Sequence, residues 1–113
     1  MFEETKEKLQ SGATRSKMDV RWDLIPAAAL RQVAEVFEVG ARQHGDRNWE
    51  KGMPAMVCYN HAQDHLHAWM AGDKGCNHLA HACTNLLMMI HSLDNEDWKE
   101  LNKDCPSGTR SQL

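Results

Sequence analysis

The chain has 113 residues, 42% of them hydrophobic, and a net charge of −3. That length makes one domain, with room for a core but none for a second fold. The slight negative charge argues against non-specific binding to a nucleic-acid backbone, and the longest apolar run, Leu86 to Ile90, is far too short to span a bilayer. Residues 1–19 are polar and charged and read as a mobile arm or a short frayed helix. Their first six residues have no signal-peptide character, so a cytoplasmic protein with reduced cysteines is expected. Cys58, Cys76, Cys83 and Cys105 show no paired C-x-x-C spacing. The helical domain is expected over 20–98, followed by a tail over 99–113.

Pro26 is well placed at a helix start, and a first helix is expected over 27–39. Leu30, Val33, Ala34, Phe37 and Ala41 fall on one apolar stripe, and Gly40 is expected to end or loosen the last turn. A loop rich in glycine and charge follows, from Gly40 to Gly52. Pro54 opens a second helix to about Ala71, with Cys58, Ala62, His65 and Trp69 on one face. Residues 72–75 form a turn. Asn77 is a good N-cap for a third helix to about Leu93, on which His78, His81, Ala82, Asn85 and Met89 share a stripe. A short helical turn with Trp98 is expected within 95–104. No alternating β-branched segment occurs, so strands are not expected. The fold class is all-α, with three amphipathic helices. So few helices bury little alone, and a homo-oligomer is expected to complete the core.

Three sets of side chains suit chemistry. Glu35 and Glu38 lie three apart, so both carboxylates reach one side of the first helix. Such a pair suits a hard divalent cation, although two glutamates alone are ordinarily a solvated face. His78, His81 and Asn85 lie within roughly 60° of arc at ~100° per residue. They share that arc with apolar residues, so the rings turn inward and need partners. His65 on the second helix can converge with them, and Asp73 in the turn can add a carboxylate. There is no His-Glu-x-x-His pattern, and Asp64–His65 reverses the His-Asp dipeptide of metal phosphohydrolases. In the loop, Arg47 and Lys51 suit phosphate, Trp49 offers a flat face, and the glycines imply a specific backbone path. No Walker lysine pattern is present.

Several blocks come in one order: Asp23 to Pro26, Val33 to Val36 with Gly40–Ala41, Gly45 to Gly52, His65–Leu66 with Ala68–Trp69, Gly72–Asp73, and His78 to Ala82 with Asn85. Together they resemble the phage-associated dATP/dGTP diphosphohydrolase N-terminal domain family, over roughly residues 12–94. The resemblance implies an all-α, MazG-like pyrophosphohydrolase of phage nucleotide metabolism. Such an enzyme uses Mg²⁺ (or Mn²⁺) to split a purine deoxynucleoside triphosphate into monophosphate and pyrophosphate. Glu35, Glu38 and Asp73 would then hold metal. His65, His78 and His81 would complete the metal shell or orient the attacking water. Arg47 and Lys51 would neutralise phosphate, with Asn48, Trp49 and Asn85 positioning base or ribose. The chain departs from the pattern in having Gln43 and His44 where Lys and Tyr often stand, and in a shortened turn at Asp73 to Asn77. Those departures keep an alternative open: a small phage protein that binds a nucleotide or a host protein without catalysis. A transition metal held by His65, His78 and His81 is a third option.

Overall fold

The computed structural model describes residues 6–106. Three helices dominate: α1 (Ala27–His44), α2 (Ala55–Met70) and α3 (His78–Asp94). The all-α expectation holds for the body of the chain. Among the described residues no helix is long and apolar enough to cross a membrane.

Helix α1 runs five residues beyond the expected end, straight through Gly40, and stops at Gly45. Gly45 has φ 94°, and its N–H donates to the Ala41 carbonyl at 2.8 Å. A glycine in mid-helix costs about 1 kcal/mol against alanine, but tertiary packing overrides that local cost. Gly45, not Gly40, supplies the positive φ that turns the chain.

Helices α2 and α3 form the main packed pair, and α1 lies against α3. The start of α2 meets the end of α3, where the Ser92 hydroxyl donates to the Met53 carbonyl at 2.7 Å. The end of α2 meets the start of α3, through His65 and His78. The pair is therefore antiparallel. The buried residues of the two helices are small, Ala55, Cys58 and Ala62 on α2 and Ala80, Ala82, Thr84 and Ser92 on α3. Small side chains let the two backbones approach closely but remove little apolar area from water. Trp69, on the same expected face of α2 as Cys58 and Ala62, is half exposed.

Two regions differ from the sequence expectation. In the arm, β1 (Lys6–Lys8) pairs antiparallel with β2 (Thr14–Ser16). The turn between them closes through Leu9 N–H to the Ala13 carbonyl at 2.8 Å, with Gly12 at φ 92°. Glu7 lies opposite Arg15, a favourable cross-strand pair. Strands of three exposed residues carry no alternating hydrophobic pattern, so periodicity does not reveal them. The first five residues of the arm lie outside the described ones.

At the other end, residues 99–102 are part of the packed domain rather than tail. Pro54 gives α2 no side-chain cap. Asn102 supplies it from 47 positions away: its Oδ1 accepts the Ala55 N–H at 2.9 Å. Its Nδ2 donates to the Ser92 carbonyl at 3.2 Å and hydroxyl at 2.9 Å. The neighbouring Leu101 packs where a side chain on Gly52 would go, 3.1 Å from that Cβ position, and Gly52 has φ 108°. The remainder of the expected tail, residues 107–113, lies outside the described residues.

Candidate functional site

Gly45, Arg47 and Gly52 all have positive φ, and Asn48–Lys51 form a single 3₁₀ turn between them. This backbone path folds the loop over the open side of the helices. Arg47 is the one non-glycine residue in the left-handed region among the described residues, at φ 52°. A side chain there costs about 1 kcal/mol or more and persists only where the surroundings determine it. Trp49 is fixed by an aromatic ladder. Its ring meets His91 edge-on at 4.8 Å, and His91 meets Trp98 at 5.3 Å.

Beneath the loop lies a cavity of about 350 Å³. The second half of α1 forms one wall, with Phe37, Gly40 and His44. The loop contributes Arg47, Asn48 and Trp49. Helix α2 contributes His61 and His65, and α3 contributes His81, Thr84 and Asn85. Of the residues singled out in the sequence, Arg47, Asn48, Trp49, His65, His81 and Asn85 therefore share one cavity. The Asn85 amide Nδ2 donates to the carbonyl of His81 one turn earlier, at 2.9 Å, which leaves its Oδ1 and second N–H available for a ligand.

Other candidates stand elsewhere. Lys51 is exposed and off the cavity wall. Glu35 and Glu38 are exposed and engage arginines on their own helix, Glu35 with Arg31 at 3.4 Å and Glu38 with Arg42. At ~100° per residue, Glu38 falls on the far side of α1 from Gly40. Within one copy of the chain the structure does not bring these two carboxylates to the cavity or to Asp73. Before α1, Arg21 and Asp23 are exposed, and Asp23 accepts two hydrogen bonds from Arg21. That pairing holds the Asp23 carboxyl below its ordinary range.

At the lower edge of the cavity the rings gather. The α2–α3 turn begins with Gly72 at φ 83°. The Gly72 N–H donates to the Trp69 carbonyl and the Asp73 N–H to the Ala68 carbonyl, both at 3.0 Å. This pair of bonds is a Schellman closure, and it fixes Asp73 just past the helix end. The Asp73 carboxylate then accepts the Gly75 N–H at 2.7 Å and a ring N–H from His78 Nε2 at 3.0 Å. These two donors, His78 first, hold its carboxyl below the usual range. Asn77 caps α3 by accepting the Ala80 N–H at 3.2 Å, and its amide donates to Gln32 on α1 at 2.8 Å. On the other side, Nδ1 of His78 lies 3.0 Å from Nδ1 of His65 and 3.4 Å from Sγ of Cys76. His65 stacks on His81 at 4.7 Å. Burial, then the neighbouring His81 and His78 rings, push the His65 imidazole below its ordinary value.

A carboxylate can only accept, so Nε2 of His78 carries a proton, and in the neutral ring Nδ1 then presents its lone pair. The inward turn of His65, His78 and His81 expected from the helical stripes is what the structure shows. Cys76 and the pairing of His91 with Trp49 escaped the sequence reading. For Cys76 a signal existed in the Cys-x-His spacing before α3. For His91 it did not, since it sits on a face that reads as outward. His61, i, i+4 from His65 at the edge of the inward face of α2, reaches the cavity as that spacing allows.

Residues 9–102 match the family described as dATP/dGTP diphosphohydrolase, N-terminal. The chain belongs to that family. The match spans both the loop and the histidine-bearing helices, so the cavity and the ring cluster are built from family residues. It also reaches Asn102, in keeping with that residue's place in the packed domain. No curated protein and no solved structure matches the chain.

Proposed function

We propose that this chain binds a purine deoxynucleoside triphosphate in the cavity beneath the 45–52 loop and hydrolyses it to the monophosphate and pyrophosphate. The observation that carries this reading is the convergence of Arg47, Asn48, Trp49, His81 and Asn85 on one cavity, in a member of a diphosphohydrolase family. Its volume is in the range of small-molecule sites, roughly 300–1,000 Å³. Arg47 supplies planar donors for phosphate oxygens. The indole of Trp49 and the amides of Asn48 and Asn85 provide a flat surface and directed polar groups for base and sugar. His81 lines the wall with its ring stacked on His65; in this reading it takes a proton from the attacking water. Lys51, off the wall, contributes only long-range attraction for the phosphates. The resemblance supplies the setting, phage nucleotide metabolism.

The Mg²⁺ expected for such chemistry is a hard cation that requires oxygen ligands. No carboxylate lines the cavity among the described residues. Glu35 and Glu38 are paired with arginines, and Asp73 is committed to His78 and Gly75. These residues do not form a Mg²⁺ site within one copy of the chain. Any Mg²⁺ or Mn²⁺ in the cavity would arrive on the triphosphate. The absence of carboxylates also favours a second reading, a nucleotide-binding protein without turnover.

One experiment separates the readings. Purified protein is given each dNTP with Mg²⁺ or Mn²⁺, and pyrophosphate release and thermal shift are measured. Hydrolysis predicts pyrophosphate from dATP or dGTP. The binding-only reading predicts a thermal shift with no product. Neither signal with any dNTP would sink both and leave a protein partner as the ligand.

We also infer a homo-oligomer. An apolar groove formed by Ile25, Leu30, Val33, Leu79, Leu86 and Leu87 lies on the α1–α3 side, away from the nucleotide cavity. A second copy is the occupant proposed for it, because the buried core of one chain is too small to account for a stable domain.

A further inference from the structure

Three groups near the cavity have no part in nucleotide binding as proposed: the Cys76 thiol, the His78 ring and the Asp73 carboxylate. One ligand atom from each of His65, Cys76 and His78 lies within 4.8 Å of the other two. In a tetrahedral zinc site, with Zn–N of about 2.0–2.1 Å and Zn–S of about 2.3 Å, two nitrogens stand about 3.3 Å apart, and nitrogen and sulfur about 3.6 Å apart. The separations here are 3.0 Å between the two Nδ1 atoms and 3.4 Å from Cys76 Sγ to His78 Nδ1. An ion would be admitted by opening these two pairs a few tenths of an ångström and by drawing Cys76 in towards His65, whose ligand atoms lie within 4.8 Å of each other.

A second observation points the same way. Asp73 holds a proton of His78 on Nε2, which in the neutral ring leaves the Nδ1 lone pair facing the other two ligands. That carboxylate–histidine arrangement is the usual outer support of a metal-bound imidazole. The turn builds it with local devices: the Schellman closure at Gly72, the Gly75 N–H on Asp73 and the Asn77 cap on α3. A side chain on Gly75 would come within 3.0 Å of the Asp73 carboxylate. Two imidazoles and a thiolate form a borderline-soft set, suited to Zn²⁺ and unsuited to Mg²⁺.

We propose that His65, Cys76 and His78 bind one Zn²⁺ through two Nδ1 atoms and a thiolate, with Asp73 orienting His78 and water as the fourth ligand. On binding, the Cys76 thiol gives its proton to solvent, and the proton between the two Nδ1 atoms moves to Nε2 of His65. Three protein ligands with an open position are the pattern of reactive rather than purely structural zinc. His65 belongs to both the metal site and the cavity wall, so the ion would sit at the edge of the nucleotide cavity. His81 stacks on His65 but is not a ligand in this assignment.

The test needs no nucleotide, so its outcome is independent of hydrolysis. Untagged protein is produced in zinc-supplemented medium under reducing conditions and analysed for metal. One zinc per chain is expected. Cys76→Ser and His78→Gln should each lower the content at least tenfold, and His81→Gln should leave it unchanged. Asp73→Asn should keep the ligands but weaken zinc roughly 10–100-fold in competition with a chromophoric chelator. Loading the wild-type chain with Co²⁺ gives a reading that needs no variant: a thiolate-to-cobalt charge-transfer band in the near ultraviolet. Wild-type protein without zinc and without that band would overturn the proposal. So would Cys76→Ser retaining full zinc, or His81→Gln losing as much as Cys76→Ser.

Discussion

Gly40 sits inside α1, and a Cβ added there would meet nothing within 4 Å. Helix propensity alone then predicts that Gly40→Ala stabilises the protein by about 0.5–1 kcal/mol, a rise of a few degrees in Tm. Yet Gly40 lines the cavity, so the new methyl would take ligand space. The expected outcome is a higher Tm together with weaker nucleotide binding, read by thermal melts and titration of dATP and dGTP. A variant with unchanged affinity would show that the ligand does not approach α1. The cysteines allow a second residue-scale check. Cys58 is fully buried, and burial pushes its thiol above the ordinary value. The reactive thiolate is therefore scarce at neutral pH. Native protein should be alkylated at exposed Cys76 when metal is stripped, while Cys58 is modified only after unfolding. Mass spectrometry of the digested protein reads both. Early modification of Cys58 would contradict its burial on α2.

At the scale of elements, the decisive links are caps and closures contributed from a distance. The first turn of α2 has its Ala55 N–H satisfied by Asn102, which also joins Ser92 near the end of α3. Removing that amide would leave part-buried polar groups without their partner, at about 1–3 kcal/mol. Asn102→Ala should lower Tm by several degrees in thermal melts. A neutral result would return residues 99–102 to the status of a tail. Asn77 could be read as a cap from its place before an apolar-periodic run. Asn102 could not, because nothing local in the sequence ties it to Ala55. The N-terminal hairpin was hidden for a related reason. Cross-strand pairing of Lys6–Lys8 with Thr14–Ser16 is a relation between two short polar segments, and neither announces the other.

For the whole molecule, size and surface do not match. A compact monomer of 12.9 kDa is expected to expose about 6,300 Å²; this chain exposes 9720 Å². Its radius of gyration is 18.0 Å, where a compact chain of this length would have about 13 Å. Among the described residues the N-terminal hairpin and the leucines of the apolar groove are exposed. A second copy on the groove predicts a dimer or larger assembly, measured by light scattering after size exclusion. A charged replacement at the groove, Leu86→Glu, should shift it towards monomer. A wild-type monomer at micromolar concentration would refute the inference.

The sequence by itself determined the three helices, the Asn77 cap, the inward histidines and the irregular glycine-rich loop between the first two helices. Each is set by local spacing, propensity or a short-range bond. Only the tertiary structure decided that α1 continues through Gly40, that Glu35 and Glu38 turn away from the cavity, and that Cys76 and Asp73 meet His78. Which side of a helix faces a neighbour, and which turn residue lands on which ring, depend on packing between segments. Packing energy is shared among residues far apart in the chain, and no single window of sequence contains it.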